Sequence, residues 1–308
     1  MIEKEKTAER LKEFTAGENI RTDVEMKDHT TFRTGGSADV FVTPQSITEA
    51  AEIVRFLLNE KIPYTVIGNG SNILVSDRGY RGCIVCMGHG TDDIKIEGDK
   101  VTAGAGAILS KVAYAAYEKG LTGLEFASGI PGSLGGAVVM NAGAYGGEMK
   151  DVVSTVTLFD TKTSGTVTLT CDQMGFGYRK SIVRPGYVVL EAVLKLSEGD
   201  RTEIKSTMDD LATRRRQKQP LEFPSAGSTF KRPEECFAGK LIEDSGLKGY
   251  CIGGAKVSEK HCGFVINTGT ATTDDIIGLM KHIRKTVNER FNVMLESEVV
   301  LIGEDIGL

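Results

Sequence analysis

The residues best able to do chemistry lie in and around two glycine-rich loops. Gly129 to Gly147 reads G-I-P-G-S-L-G-G-A-V-V-M-N-A-G-A-Y-G-G, seven glycines in nineteen residues without a charge. A second neutral loop, Gly68-Asn69-Gly70-Ser71-Asn72, follows the apolar run Tyr64 to Ile67. Glycine lets backbone approach a ligand closely, and neutral main-chain N–H groups suit phosphate oxygens. One such loop reads equally as a tight turn; two on one chain point to a large phosphate-bearing cofactor held by main chain. No Gly-Lys-Ser/Thr follows at phosphate-loop spacing, and Gly132, Gly135 and Gly136 depart from the dinucleotide fingerprint. The cofactor therefore belongs to another fold.

Glycine loops do no acid–base work, so reactive side chains must come from elsewhere. Ser225-Ala226-Gly227-Ser228-Thr229-Phe230-Lys231 places a hydroxyl among small residues, as a site loop or as a plain turn. In Tyr178-Arg179-Lys180-Ser181 the arginine could hold a carboxylate bidentately or form a surface ion pair. Glu298 lies in an apolar closing segment, where a carboxylate has a raised pKa or a cationic partner. His261 reads more simply as a core or capping histidine. The run Arg214 to Lys218 lacks interleaved aromatics and sits on an acidic chain, so it fits a solvated helix end or a small-anion clamp better than nucleic acid.

The elements that must carry these groups follow from periodicity. The first thirty residues predict one short helix and a connector. A strand is expected over Ala38 to Thr43. A helix then opens at Ser46 with Glu49 as a capping box, its apolar positions Ile47, Ala50, Ile53, Val54, Leu57 and Leu58 at helical spacing. A strand over Tyr64 to Ile67 follows, and this β-α-β order suggests a parallel pair. Runs at Ile94 to Glu97 and Val101 to Ala103 predict a hairpin, and a helix over Leu109 to Lys119 stops at Gly120. Strands are expected near Val152 to Phe159, Thr166 to Thr170 and Tyr187 to Leu196. Helices are expected over Thr202 to Gln219 and Thr273 to Phe291. A closing strand, Val293 to Leu301, puts Glu296 and Glu298 on one face. The mixture without strict alternation favours α+β.

The 308 residues carry a net charge of −5 and no apolar run near membrane-span length, so no nucleic-acid partner and no membrane span are expected. The charged N-terminus lacks a signal-peptide core, making cytoplasmic the expected location. Of six cysteines, only Cys83 and Cys86 have metal-like spacing. They form half a zinc site within an apolar run, so no metal is expected, and the cysteines read as reduced, mostly buried thiols.

Taken together, the motifs give the chain a resemblance to the UDP-N-acetylenolpyruvoylglucosamine reductase family of bacterial peptidoglycan synthesis. It runs from His29-Thr30-Thr31-Phe32-Arg33-Thr34-Gly35-Gly36 to Leu295-Glu296-Ser297-Glu298-Val299. Between them come Gly68 to Asn72, Gly129 to Gly136, Asn141 to Gly146, Tyr178-Arg179 and Pro224 to Ser228. The resemblance implies an α+β fold: a two-subdomain FAD-binding unit of the vanillyl-alcohol oxidase (PCMH) type plus a smaller α/β substrate-binding domain. It implies a helix and connector over 1–30, the FAD-binding domain over 31–200 (subdomains about 31–82 and 83–200) and a linking helix over 201–219. The substrate domain would be 220–292, with a C-terminal strand over 293–308 returning to the FAD domain. The first loop offers no His or Cys to attach a flavin, consistent with non-covalent FAD. No counterpart of the extra Tyr-bearing segment is evident, so the chain is similar to the family's shorter type.

The resemblance also implies roles. NADPH would be the reductant and UDP-N-acetylglucosamine enolpyruvate the substrate, with hydride going from reduced FAD to the vinyl methylene carbon. Arg179 and Glu298 would stabilise the resulting enolate-like carboxylate, and Ser228 would give a proton to the α-carbon. FAD contacts would come from Thr34, Gly35, Gly68, Asn69, Gly70, Ser71, Asn72, Gly129, Pro131, Gly132, Ser133, Gly136, Asn141, Gly143 and Ala144. Tyr178, Lys218 and Gly227 would serve the substrate. A departure appears at Arg232 before Pro233, where many relatives carry Asn. Another flavin oxidoreductase of the same fold, or a non-catalytic flavin or sugar-nucleotide binder, are the rival readings. The expected oligomeric state is a monomer.

Overall fold

A computed structural model describes residues 3–308 of the chain. They divide into two compact units. Among these residues unit 1 comprises 3–22, 40–69 and 82–215; unit 2 comprises 23–39, 70–81 and 216–308.

Unit 1 is built on sheet and helix. Most of a four-stranded sheet falls in it, with the order Ile20–Glu25, Ser37–Val42, Tyr80–Cys86, Tyr64–Ile67, the last two parallel with Tyr64 opposite Cys83. The expected β-α-β unit is therefore present, but its two strands are not neighbours, because Tyr80–Cys86 inserts between them. Helix Ile47–Asn59 begins as its sequence dictates. The Ser46 hydroxyl accepts from the Glu49 N–H at 3.1 Å, while the Glu49 carboxylate accepts from the Gln45 N–H at 3.0 Å. A five-stranded sheet runs Gly165–Thr170, Val153–Asp160, Tyr187–Lys195, Lys100–Gly104, Ile94–Glu97, every neighbouring pair antiparallel. The expected hairpin is present, with Glu97 opposite Lys100 and Gly98 at φ 59° in its turn. Val54, Leu57, Val85, Leu109, Leu134, Val156, Leu158 and Leu194 belong to one buried core.

Unit 2 has its own core, around Phe32, Leu74, Ile242, Val257, Ile276, Met280, Ile283 and Leu295. A three-stranded antiparallel sheet, Cys251–Ile252, Ala255–Val257 and Val265–Asn267, packs against helix Thr273–Phe291. That helix has the expected bounds. Its first N–H groups are satisfied by a reciprocal Thr272–Asp275 capping box, and Asp77 accepts from the N–H groups of Thr273 and Asp274, both at 2.9 Å. Val300–Ile302 pairs in parallel with Ile73–Val75.

Three expectations need correction. Residues 3–30 hold the predicted helix, Lys4–Leu11, but also strand Ile20–Glu25. The closing strand is shorter and later than expected. Leu295 and Val299 are buried as period two requires, yet upstream of Val300 only one bridge forms, Phe230 with Ser297. Of the cysteines only Cys83 and Cys262 are buried; Cys86, Cys171 and Cys236 are half-buried and Cys251 is exposed. Burial pushes the Cys83 thiol up to about 12 and the Cys86 thiol up to about 11, which leaves both protonated and unreactive at neutral pH.

Candidate active site

In unit 1 the two glycine loops meet. A Cβ on Gly68 would stand 1.9 Å from the Ser133 hydroxyl oxygen, and the Asn69 amide donates to the Pro131 carbonyl. Glycine at 68 is thus required by close approach of the second loop. Ser133 is buried, and its hydroxyl caps the short helix Leu134–Val139 by accepting from the Gly136 N–H. Asn69, Gly129, Pro131 and Gly136 are exposed. Beside Gly129 lies Arg215, its guanidinium 3.2 Å from where a Cβ would sit. Burial pulls the Arg215 pKa below its ordinary value, with the Tyr145 hydroxyl opposing. Exposed, uncharged main chain with one partly desolvated guanidinium fits a flavin nucleotide and its diphosphate.

Arg179 also belongs to unit 1, in a reversal closed by mutual Gly177–Lys180 hydrogen bonds of 3.0 and 3.2 Å. Its backbone sits at φ 52°, a left-handed conformation that costs a non-glycine residue about 1 kcal/mol. The guanidinium donates to the Gly143 carbonyl at 3.1 Å and lies over the Tyr178 ring, 5.1 Å from its centroid. Tyr178 itself is 52 % exposed.

Asn141 explains how this reversal is held. It is fully buried. Its amide donates to the Glu148 carboxylate at 2.8 Å and to the Gly177 carbonyl at 3.1 Å, and its side-chain oxygen accepts from the Lys150 N–H at 2.9 Å. Those bonds hold its carboxamide inside the protein and tie the Gly177 reversal to the Glu148–Lys150 segment. Gly143 and Ala144 pair with Glu148 and Gly147 in a small hairpin, where a Cβ on Gly143 would meet Gly147 and Glu148 below 3 Å.

Unit 2 carries Ser228 and Glu298. Both are half-buried, and both border Thr229. Thr229 is completely buried; its N–H donates to Gly263 at 2.8 Å and its hydroxyl accepts from the Val265 N–H at 2.9 Å. Its carbonyl accepts from the Glu298 N–H at 3.0 Å. Gly227, at φ 76°, has nothing within 4 Å of a hypothetical Cβ, so open space adjoins Ser228. Asn72 donates to the Glu298 carbonyl at 3.1 Å. Glu296, expected on the face of Glu298, is exposed and pairs with Lys231 at 3.1 Å.

Other unit 2 positions divide between packing and surface. Gly70, at φ 62°, accepts from the Thr31 N–H at 3.1 Å, and a Cβ there would lie 2.0 Å from the His29 carbonyl. Thr34 is buried and its hydroxyl accepts from Thr273 at 3.2 Å. Gly35 packs on Val75, and Ser71 is half-buried. Lys218 is exposed at the end of helix Arg201–Lys218. Arg232 lies over Phe237, 4.1 Å from the ring centroid. His261, expected as a core or capping residue, is exposed and closes a turn instead: its Nδ1 accepts from the Gly263 N–H at 3.1 Å. Thr229 escaped notice in the sequence, where only its place between Ser228 and Phe230 could have marked it.

Two stretches of the chain match known protein families. Residues 38–170 match an FAD binding domain, and residues 219–302 match the UDP-N-acetylenolpyruvoylglucosamine reductase C-terminal domain. Fold and motifs thus define a flavin-dependent oxidoreductase with a second α/β domain. A UDP-N-acetylenolpyruvoylglucosamine reductase of Clostridioides difficile is 52 % identical over 94 % of this chain and 95 % of its own. One from Caldanaerobacter subterraneus is 50 % identical over 96 % and 98 %. The crystal structure of the Thermus caldophilus reductase superposes with a TM-score of 0.80 at 36 % identity, covering 92 % of this chain and 99 % of that one. The chain belongs to the UDP-N-acetylenolpyruvoylglucosamine reductase family.

Proposed function

We propose that this chain reduces UDP-N-acetylglucosamine enolpyruvate to UDP-N-acetylmuramate, with FAD bound non-covalently and NADPH as reductant, in peptidoglycan synthesis. The observation that carries this reading is the 52 % identity to a reductase of that name over 94 % of the chain. FAD, when bound, supplies the hydride. Everything else falls to the chain's own groups.

Reducing the enolpyruvyl double bond adds hydride to the methylene carbon and a proton to the α-carbon. In between, negative charge spreads onto the substrate carboxylate. Arg179 meets that charge with a planar guanidinium already anchored on Gly143, so little reorganisation accompanies the reaction. Glu298 shares the carboxylate through a proton, which requires its own carboxyl to be protonated or proton-bridged. Ser228 donates its hydroxyl proton to the α-carbon and regains one from solvent. A serine hydroxyl is a weak acid, but the carbanion-like centre is a strong base and the donor is held by Thr229.

Tyr178, Lys218 and Gly227 serve the substrate in this reading. Main chain at Gly68, Asn69, Gly129, Pro131, Gly132, Ser133, Gly136, Asn141, Gly143 and Ala144 serves FAD, as does main chain at Thr34, Gly35, Gly70, Ser71 and Asn72. Among the described residues no helix is long and apolar enough to cross a membrane. The proposed setting is the cytoplasm and the proposed state a monomer.

Anaerobic stopped-flow absorbance tests the reading. NADPH should bleach the visible flavin band, and the enolpyruvyl substrate, added second, should restore it with formation of UDP-N-acetylmuramate. Bleaching that only oxygen reverses would remove the substrate assignment.

A further inference from the structure

Asn72 closes the first glycine segment, where its motif would put it on the cofactor. Its side chain goes elsewhere. The carboxamide donates to the main-chain carbonyl of Glu298 at 3.1 Å, across 226 positions of sequence. Its own carbonyl accepts from the Val300 N–H at 3.0 Å, immediately before the parallel pairing of Ile73 with Val300. The Glu298 N–H is meanwhile held by the Thr229 carbonyl at 3.0 Å. Both main-chain polar groups of Glu298 are therefore clamped, one from the Ser228–Thr229 segment and one from Asn72.

We propose that Asn72 is a positioning residue for Glu298: its amide fixes the Glu298 peptide, and with it the origin of the carboxyl, relative to Ser228. From 293 to 299 the main chain forms one bridge, Phe230–Ser297, and takes a side-chain tie from Arg284, which donates to the Leu295 carbonyl at 3.0 Å. A side-chain clamp at residue 298 supplies the constraint that a regular ladder supplies elsewhere. Displacing a reacting group by about 1 Å slows a reaction by about 10²-fold, so a clamp on the backbone of Glu298 is felt in the chemistry of its side chain. This inference rests on the role given to Glu298 above.

The test combines Asn72→Asp with Glu298→Gln. Asn72→Asp keeps the shape, removes the donor and sets a carboxylate against the Glu298 carbonyl. FAD affinity, read by quenching of flavin fluorescence on titration, should stay within about twofold of the parent, as should flavin reduction by NADPH. Reoxidation by the enolpyruvyl substrate should slow by about 10- to 100-fold. In the Glu298→Gln background the same change should add less than about twofold, because residues acting through one another are not additive. Should Asn72→Asp fail to fold, Asn72→Ala removes the donor without adding charge and is read in the same way. Weakened FAD binding with parental reoxidation would overturn the positioning role alone and return Asn72 to the cofactor. So would an effect that multiplies fully with Glu298→Gln. Parental reoxidation in Glu298→Gln itself would overturn the role of Glu298, and the proposal with it.

Discussion

Unit 1 and unit 2 hold their reactive groups by opposite means. In unit 1 a long guanidinium stands on a two-residue reversal closed by main-chain bonds, and side chains add the outer holding: buried Asn141 ties Gly177 to Glu148 and Lys150, and Arg179 anchors its own head on Gly143. In unit 2 a short hydroxyl and a carboxyl stand on adjoining extended segments, and main chain does much of the holding through Thr229, with Asn72 as a side-chain clamp on the Glu298 carbonyl. Reach explains the difference. A serine hydroxyl lies one bond beyond Cβ, so fixing its backbone nearly fixes the group. An arginine head is several rotatable bonds from its Cα, and only a contact at the far end limits it.

The sharpest way to break this contrast is at Ser228. Ser228→Ala should slow flavin reoxidation by the enolpyruvyl substrate by about 10²- to 10⁴-fold, the range for loss of a general acid, while slowing flavin reduction far less. Stopped-flow absorbance separates the two steps, and equal slowing would deny Ser228 the proton-donor role. Next comes Arg179→Lys, which keeps the charge but loses the fork that can grip Gly143 and a carboxylate together. Reoxidation should fall about 10²-fold, measured the same way; a near-parental lysine enzyme would mean that charge alone suffices.

A third test addresses scaffolding rather than chemistry. Asn141→Ala removes three hydrogen bonds from a buried position and should destabilise the protein by about 3 kcal/mol in denaturant unfolding. A loss below about 0.5 kcal/mol would show that the Arg179 reversal does not depend on side-chain tethers.

The smallest expected effect is pH-dependent and belongs to unit 2. Burial holds the His261 pKa below its ordinary value, and its Nδ1 must stay unprotonated to accept from Gly263. Because the folded pKa is depressed, the unfolded chain takes up the proton first. The contribution is therefore present above the ordinary histidine value and lost as pH falls through it toward the folded value. The melting temperature should drop modestly between about pH 7.5 and 5.5, and less in His261→Asn; identical slopes would exclude His261 as the source. The ring is partly exposed, which keeps the effect small.

How much could be read in advance depended on sequence distance. Helix Thr273–Phe291 was legible, because its apolar period is local. The Ile94–Glu97 and Lys100–Gly104 hairpin was legible for the same reason. The strand Ile73–Val75 was not, being three residues long and paired with Val300–Ile302. The family resemblance implied Asn72 and Asn141 as cofactor contacts. Their partners, Glu298 in one case and Glu148, Lys150 and Gly177 in the other, show that both carboxamides are used inside the protein.

Residue order alone determined the family, and the same motifs supply the main-chain ligand contacts and the three charge- and proton-handling groups proposed above. It did so because glycine spacing, caps and apolar periods are properties of neighbouring residues. Only the tertiary structure decided which polar side chains are free for chemistry and which are spent on holding it. A carboxamide bonds whatever folding brings within about 3 Å, and for Asn72 that partner lies 226 residues away.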